Sequence, residues 1–279
     1  MSVTLTPANT GSGKTKDVVL KKEGRIVFRF KDTVTGNTKT GIVDPGGNRV
    51  VGTVPGTGLS ALRFSEYFFN KFTAAGIPNH FISCDFNDLT MVAKQATLFG
   101  MRPTGLLTGP DGVIPMGNYA LELVFCDFAE GSIRRKFPKL PRGTPLGGWR
   151  VHLKHDDWED PEVNKEQLTH EDSPFCCMTE EIFDKALSFV EEARKVFSDE
   201  FAERGLRVID GKFELGVVNP AWGQLDNGII VLTGGDFMLI DDIGLGNFRI
   251  FNRDGVPFSE NSTEAKKIVA EKFFSYSSK

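Results

Sequence analysis

Two short stretches concentrate side chains that could handle phosphate and a divalent cation: Asp210-Gly211-Lys212-Phe213-Glu214 and Ile240-Asp241-Asp242-Ile243. In an extended strand alternate residues share a face, so Asp210, Lys212 and Glu214 point the same way. Such a face cannot lie against an apolar core without a large desolvation cost. It must meet water, ionic partners or a metal. Asp241 follows the apolar run Phe237–Ile240 and falls at the end of what reads as a neighbouring strand. Glu214 and Asp241, joined by phosphate oxygens, would give the oxygen-only shell that Mg²⁺ prefers. Lys212 between them would neutralise a phosphoryl group in transfer. The competing reading is a solvated sheet face held by cross-strand ion pairs. A third acidic stretch, from His155 to Asp160, sits in a charged segment whose histidines, His152, His155 and His170, read as surface residues.

A second candidate lies near the start. Ala8-Asn9-Thr10-Gly11-Ser12-Gly13-Lys14-Thr15 nearly spells the phosphate loop G-x-x-x-x-G-K-[ST], with Ala8 where the first glycine belongs. That loop needs a strand before it and a helix after it. Only Val3–Leu5 precedes, and Asp17 to Leu20 reads as strand. The segment is therefore expected to be a β-turn-β lid. Gly13 would let backbone N–H groups approach an anion, and Lys14 and Lys16 would reach phosphates as flexible point charges. A solvated chain end is the alternative.

Short β-rich runs precede a helix in the first part of the chain: Val18–Leu20, Arg25–Phe30 and Arg49–Val54. The spacing of Leu62, Phe69 and Phe72 predicts a helix over Ser60–Ala75, stopped by Gly76-Ile77-Pro78. Strands are expected at His80–Ser83, Thr90–Phe99 and Tyr119–Phe128. The Gly/Pro-rich stretch from Gly100 to Gly117 reads as a domain junction, and Lys136 to Gly148 as a second such loop. The clearest helix runs from Glu180 to Arg204. Thr179 is its N-cap, Glu180 and Glu181 suit its positive end, and Gly205 ends it. Strands follow at Leu206–Ile209, Phe213–Val218, Gly228–Leu232 and Phe237–Ile240, and a last helix at Thr263–Phe274. Strand runs with few helices suggest an α+β fold, divided into residues 1–113 and 114–279.

Composition narrows the function classes. Of 279 residues, 40% are hydrophobic and 25% charged, and the net charge is −4. These are ordinary globular proportions, without the basic patch that a nucleic-acid partner requires. There is no run of apolar residues long enough to span a bilayer. Met1 to Thr10 lacks the basic and apolar regions of a leader, so a cytoplasmic location is expected. Cys84, Cys126, Cys176 and Cys177 lack zinc-ligand spacing and are expected to be reduced. The 24 phenylalanines, against 3 Tyr and 3 Trp, point to a Phe-packed core. A homo-oligomer is left open.

The motifs also fall in a familiar order. It runs Gly13-Lys14-Thr15-Lys16, Asp32-Thr33-Val34-Thr35-Gly36, then a helix into Ala75-Gly76-Ile77-Pro78. Gly131-Ser132 follows, then Lys154-His155-Asp156 through Asp160-Pro161, then Asp210, Lys212, Glu214 and Gly216, and finally Asp241, Asp242, Arg249 and Phe251. In this order, over residues 11–252, the chain resembles the SAICAR (phosphoribosylaminoimidazole-succinocarboxamide) synthetase family. The resemblance implies a two-lobed α+β fold, with a β-rich N-terminal lobe, a larger C-terminal lobe and ATP in the cleft. It implies a Mg²⁺-ATP-dependent ligase that activates a carboxylate as an acyl phosphate and joins it to an amine. The implied substrates are small molecules, aminoimidazole carboxylate ribotide and L-aspartate, in purine biosynthesis. Gly13, Lys14, Lys16, Lys154 and Lys212 would hold the nucleotide, and Glu214 and Asp241 the Mg²⁺. Ser132, Arg134 and Arg249 would bind substrate, and Lys212 and Asp210 are the catalytic candidates.

The departures from the family pattern fall on the acceptor side. Cys126 stands where the family has an arginine, and Gly246 where it has an acid. The stretch from Gly100 to Gly112 looks inserted. Either Arg134 and Arg135 compensate, or the carboxylate belongs to another nucleotide-like substrate. A small-molecule kinase on the same scaffold is a further alternative.

Overall fold

The computed structural model describes residues 11–21, 23–37, 42–43, 49–102, 118–251 and 272–274. The first five-stranded sheet has the order β1-β2-β3-β8-β7, from Gly11–Ser12 (β1), Lys16–Lys21 (β2), Arg25–Phe30 (β3), Phe81–Asp85 (β7) and Thr90–Lys94 (β8). A small sheet joins Thr33–Asn37 (β4) to Ile42–Val43 (β5) and Arg49–Thr53 (β6). Helix α1 (Thr57–Ala74) follows, as its apolar spacing predicted, with Leu62, Phe68, Phe69 and Phe72 fully buried.

The larger sheet contains Leu121–Cys126 (β10), Trp149–Leu153 (β11), Glu162–Val163 (β12), Arg207–Gln224 (β13) and Ile230–Ile240 (β14) in the order β12-β11-β10-β13-β14. Thr97–Leu98 (β9) and Phe248–Phe251 (β15) also pair with β13. The remaining helices are α2 (Gly131–Lys136), α3 (Lys165–Thr169) and α4 (Glu180–Glu203). Thr179 caps α4 through a bond from the Ile182 N–H, and Gly205 lies beyond it at φ 69°, the left-handed geometry expected after a helix end.

Two pairs of expected strands are each continuous. Leu206–Ile209 and Phe213–Val218 belong to the single strand β13, and Gly228–Leu232 and Phe237–Ile240 to β14. Within β13, Gly211 pairs with Phe125, whose ring would stand 2.7 Å from an added Cβ, so the close packing there requires glycine. The strand survives Asn219-Pro220 by a register shift between Val218 and Ala221, the two-against-one geometry of a bulge. The junction expected at 100–117 and the helix expected at 263–274 fall mostly outside the described residues. Sheet membership changes between Lys94 and Thr97; the boundary drawn from sequence is at 113.

Strand alternation splits the larger sheet into two faces. On one side Leu121, Leu123, Phe125, Val151, Leu153, Phe213 and Leu215 are buried. They face α4, whose Phe197 ring meets Phe125, Phe213 and Phe248 at centroid distances of 5.0–6.2 Å. Phe68 of α1 stacks with Phe201 and tilts against Phe197, so one phenylalanine cluster joins α1, α4 and the sheet. No helix of the described residues is long and apolar enough to cross a membrane.

Candidate active site

The other face of the same sheet is polar. Register pairs Glu122 with Glu214, Val124 with Lys212 and Cys126 with Asp210. On the far side of β10, Glu122 faces His152 and Val124 faces Arg150. Since partners in register share a face, one surface carries Glu122, Lys212, Glu214, Asp210, His152, Arg150 and Cys126. Asp210 and Glu214 are buried, with ionic partners as the compensation that such burial requires.

At one end of this face charges alternate closely. The Lys212 ammonium lies 2.5 Å from Glu122 and 3.9 Å from Glu214. Lys154, from the end of β11, lies 2.6 Å from Glu214 and 3.7 Å from Glu122. Lys16, from β2 in the other sheet, reaches across to Asp241 at 2.9 Å and also bonds Asp242. Seven groups, four carboxylates and three lysines, thus meet where β2, β10, β11, β13 and the end of β14 converge. Glu214 is the register partner of Ile240, which places Asp241 one residue beyond it. Glu214 and Asp241 therefore do come together, as their spacing in the sequence predicted.

Asp241 is held in a costly backbone state, φ 70°, of the kind that concentrates at functional sites. His80 donates from Nε2 to its carbonyl at 2.9 Å. Burial pushes the His80 ring down to about 4, so it is neutral at pH 7. Ser65 accepts from the Ile243 N–H, and Asn247 donates to the Asp242 carbonyl, so the loop after β14 is fixed from both sides.

The electrostatics follow from burial and crowding. Burial, then Asp241, pushes Glu214 up to about 7. Burial also opposes ionisation of Glu122 and Asp241, but neighbouring lysines outweigh it and hold both below the usual carboxylate range. The same carboxylates keep Lys16, Lys154 and Lys212 above the usual lysine range, against the opposing effect of burial. All three lysines are charged at neutral pH.

A β1–β2 hairpin pairs Gly11 and Ser12 with Val18 and Asp17; of the strands expected on either side of the turn, Asp17–Leu20 falls in β2 and Val3–Leu5 lies outside the described residues. Gly13 has a turn function: its N–H bonds the Lys16 carbonyl, and an added Cβ would stand 2.4 Å from that oxygen. Lys14 sits in the turn, its carbonyl accepting from Thr33. At the opposite end of the polar face Arg249 grips Asp210 through Nε and Nη2, at 2.7–3.1 Å. Ser132 lies in α2. Arg134, in the same helix, stands 3.9 Å from Glu130. Sequence reasoning missed Glu122, although a lone carboxylate in the apolar run Leu121–Phe125 is the kind of signal that marks a polar site. It also missed the part of His80 in fixing Asp241.

Among the described residues no three His, Cys, Asp or Glu side chains form a ready cation cage. The donor set is nevertheless all oxygen, which suits a cation held by one or two carboxylates and completed by phosphate oxygens.

The model of the SAICAR synthetase family matches residues 9–272. The chain belongs to the SAICAR synthetase family. It is thereby an ATP-dependent ligase, the class expected from the motif order. The phosphoribosylaminoimidazole-succinocarboxamide synthase of Clostridium tetani is 30% identical over 87% of this chain and 91% of its own. That of Streptococcus sanguinis is 24% identical over 88% and 84%. Solved SAICAR synthetases share the fold. One in complex with ADP covers 96% of this chain and 98% of its own with a TM-score of 0.68, at 19% identity. The enzyme from Ehrlichia chaffeensis covers 94% and 96% at the same score and identity.

Proposed function

We propose that this member of the SAICAR synthetase family joins aminoimidazole carboxylate ribotide to L-aspartate at the expense of ATP, in the cytoplasm. The observation that carries the assignment is the convergence of Lys16, Lys154 and Lys212 with Glu122, Glu214 and Asp241 at the edge between two sheets. A carboxylate oxygen of the ribotide attacks the γ-phosphorus, the β–γ bond breaks and ADP leaves. The aspartate amine then attacks the acyl carbon, loses a proton and expels inorganic phosphate.

The three lysines bind the triphosphate and balance charge on the transferring group, with Lys212 nearest the reacting centre. Such fixed positive charge is among the largest contributions to phosphoryl transfer. Glu214 and Asp241 would hold Mg²⁺, which would supply positive charge to offset that of the triphosphate. The resting lysine–carboxylate pairs have a clear meaning on this reading. Lysines satisfy the carboxylates until nucleotide and cation arrive, then turn to the phosphates. Asp210 acts by orienting Arg249, which with Ser132 and Arg134 would bind the acceptor.

ADP release on adding both the ribotide and aspartate, with the succinocarboxamide product, is the test; Lys212→Ala should abolish it. Cys126 and Gly246 favour a second reading, an amide ligase for another nucleotide-like carboxylate. Hydroxamate formation from hydroxylamine with other carboxylates, but no turnover of the ribotide, would select it. A kinase acting on an alcohol would release ADP and give no hydroxamate.

A further inference from the structure

The turn between β1 and β2 is gripped from the side away from the site. Alternate residues of a strand face opposite ways, so in β2 Asp17 points away from the side on which Lys16 meets Asp241 and Asp242. The Lys31 ammonium, just past the end of β3, lies on that reverse side. It donates to three oxygens of the hairpin: the Gly13 carbonyl at 2.5 Å, Asp17 Oδ1 at 2.8 Å and Ser12 Oγ at 3.1 Å. None of the three belongs to the lysine–carboxylate cluster of the site. The adjoining chain adds to the grip. The Lys31 N–H donates to the Thr15 carbonyl at 2.8 Å, and the Thr33 hydroxyl donates to the Lys14 carbonyl. Three successive carbonyls, of Gly13, Lys14 and Thr15, are thus bonded by the short segment from Lys31 to Thr33. That segment is itself fixed. Asp32 Oδ1 accepts from the Gly58 N–H in the first turn of α1 at 2.9 Å, and the Asp32 carbonyl accepts from the Val54 N–H at 2.7 Å.

We propose that Lys31 is a positioning residue for the triphosphate: it holds the turn from Gly13 to Lys16 in the shape that presents Lys16 to the phosphates. The inference rests on the role given to Lys16 above. A glycine-containing turn that ends in a long lysine has many conformations, and ordering it opposes binding. Fixing it beforehand removes that cost from the binding step. A lysine suits the task because an ammonium has three donors and no acceptor, and here three oxygens of one turn surround it. The grip also has an electrostatic consequence. A carbonyl oxygen aimed at the phosphates would repel them, and Lys31 draws the Gly13 oxygen to the reverse side of the hairpin.

Calorimetry with Mg²⁺ and a nonhydrolysable ATP analogue tests the role, with AMP as the probe that lacks the β- and γ-phosphates. In Lys31→Met the affinity for the analogue should fall about tenfold, the worth of one hydrogen bond from a charged donor, while AMP affinity stays within about twofold. Lys31→Arg, which keeps the charge and several donors, should recover most of the loss. Lys31→Gln, which cannot serve all three oxygens, should fall between the two, and carries the test if Lys31→Met does not fold. Unchanged analogue affinity in the folded variants, or an equal loss for AMP, overturns the positioning role. Lys16→Met separates this inference from the reading beneath it. If Lys16→Met weakens the analogue and Lys31→Met does not, the role of Lys31 alone falls. If neither does, the hairpin is not the phosphate site and both fall.

Discussion

Each lysine of the site is charged because carboxylates surround it, and each carboxylate tolerates burial because lysines do. Removing one member therefore affects both chemistry and folding. Lys212→Met should lower the rate of ADP release about a thousandfold, since loss of one preorganised charge at a transition state costs about 3–4 kcal/mol. It also leaves Glu122, otherwise 2.5 Å from an ammonium, with Lys154 alone. Glu122→Gln in the Lys212→Met background should recover stability without recovering rate, as chemical denaturation and ADP release would show. The cysteines give a second residue-scale prediction. Burial pushes Cys177 up to about 12. A thiol with that value is ionised to about one part in ten thousand at pH 8, and the thiolate is the reactive form. Ellman's reagent at pH 8 should therefore leave Cys177 unmodified in the native protein and titrate all four thiols in denaturant. Raising the pH increases reactivity only where the thiol is reachable.

At the scale of elements, the apolar and polar faces of one sheet have separate duties. Phe197, on α4, meets rings from α1, β10, β13 and β15. Phe197→Ala should cost about 3–5 kcal/mol, in line with buried aromatic truncations, while Thr179→Ala should cost about 1 kcal/mol through loss of the cap. Urea unfolding would separate the two. The β1–β2 hairpin is an edge element whose turn needs glycine. Gly13→Ala would force its Cβ against the Lys16 carbonyl, and so should raise the KM for ATP about tenfold by displacing Lys16. A change in melting temperature as large as that of Phe197→Ala would show that the hairpin supports the core instead.

For the whole molecule, the site is assembled from two sheets: Lys16 comes from one, and Glu122, Lys154, Lys212 and Glu214 from the other. A ligand that binds between them stabilises both. Mg²⁺ with a nonhydrolysable ATP analogue, at a hundred times its dissociation constant, should add about 2.7 kcal/mol. That corresponds to a rise in melting temperature of roughly 5–10 °C. With EDTA in place of Mg²⁺ the rise should shrink severalfold, because the four carboxylates and the triphosphate would then repel one another. An equal rise without the cation would remove the metal from the proposed site. Scanning fluorimetry measures all three conditions.

Much of this arrangement is legible one residue at a time. Alternation along Asp210–Glu214 is a local property of extended chain, so it put three charges on one face before any partner strand was known. Capping chemistry likewise fixed the start of α4 at Thr179, and the order of motifs named the family. What the tertiary structure decided is everything that depends on which strands are neighbours. Glu122 joins the lysines because β10 pairs with β13 in one register; a shift of one residue would turn it into the phenylalanine core. Arg150 meets Cys126 for the same reason, 24 positions apart along the chain yet in adjoining strands. The length of β13 depended on its pairing with β10, β14 and β15. Pairing is chosen by burial summed over the whole sheet, and no local stretch of sequence contains that sum.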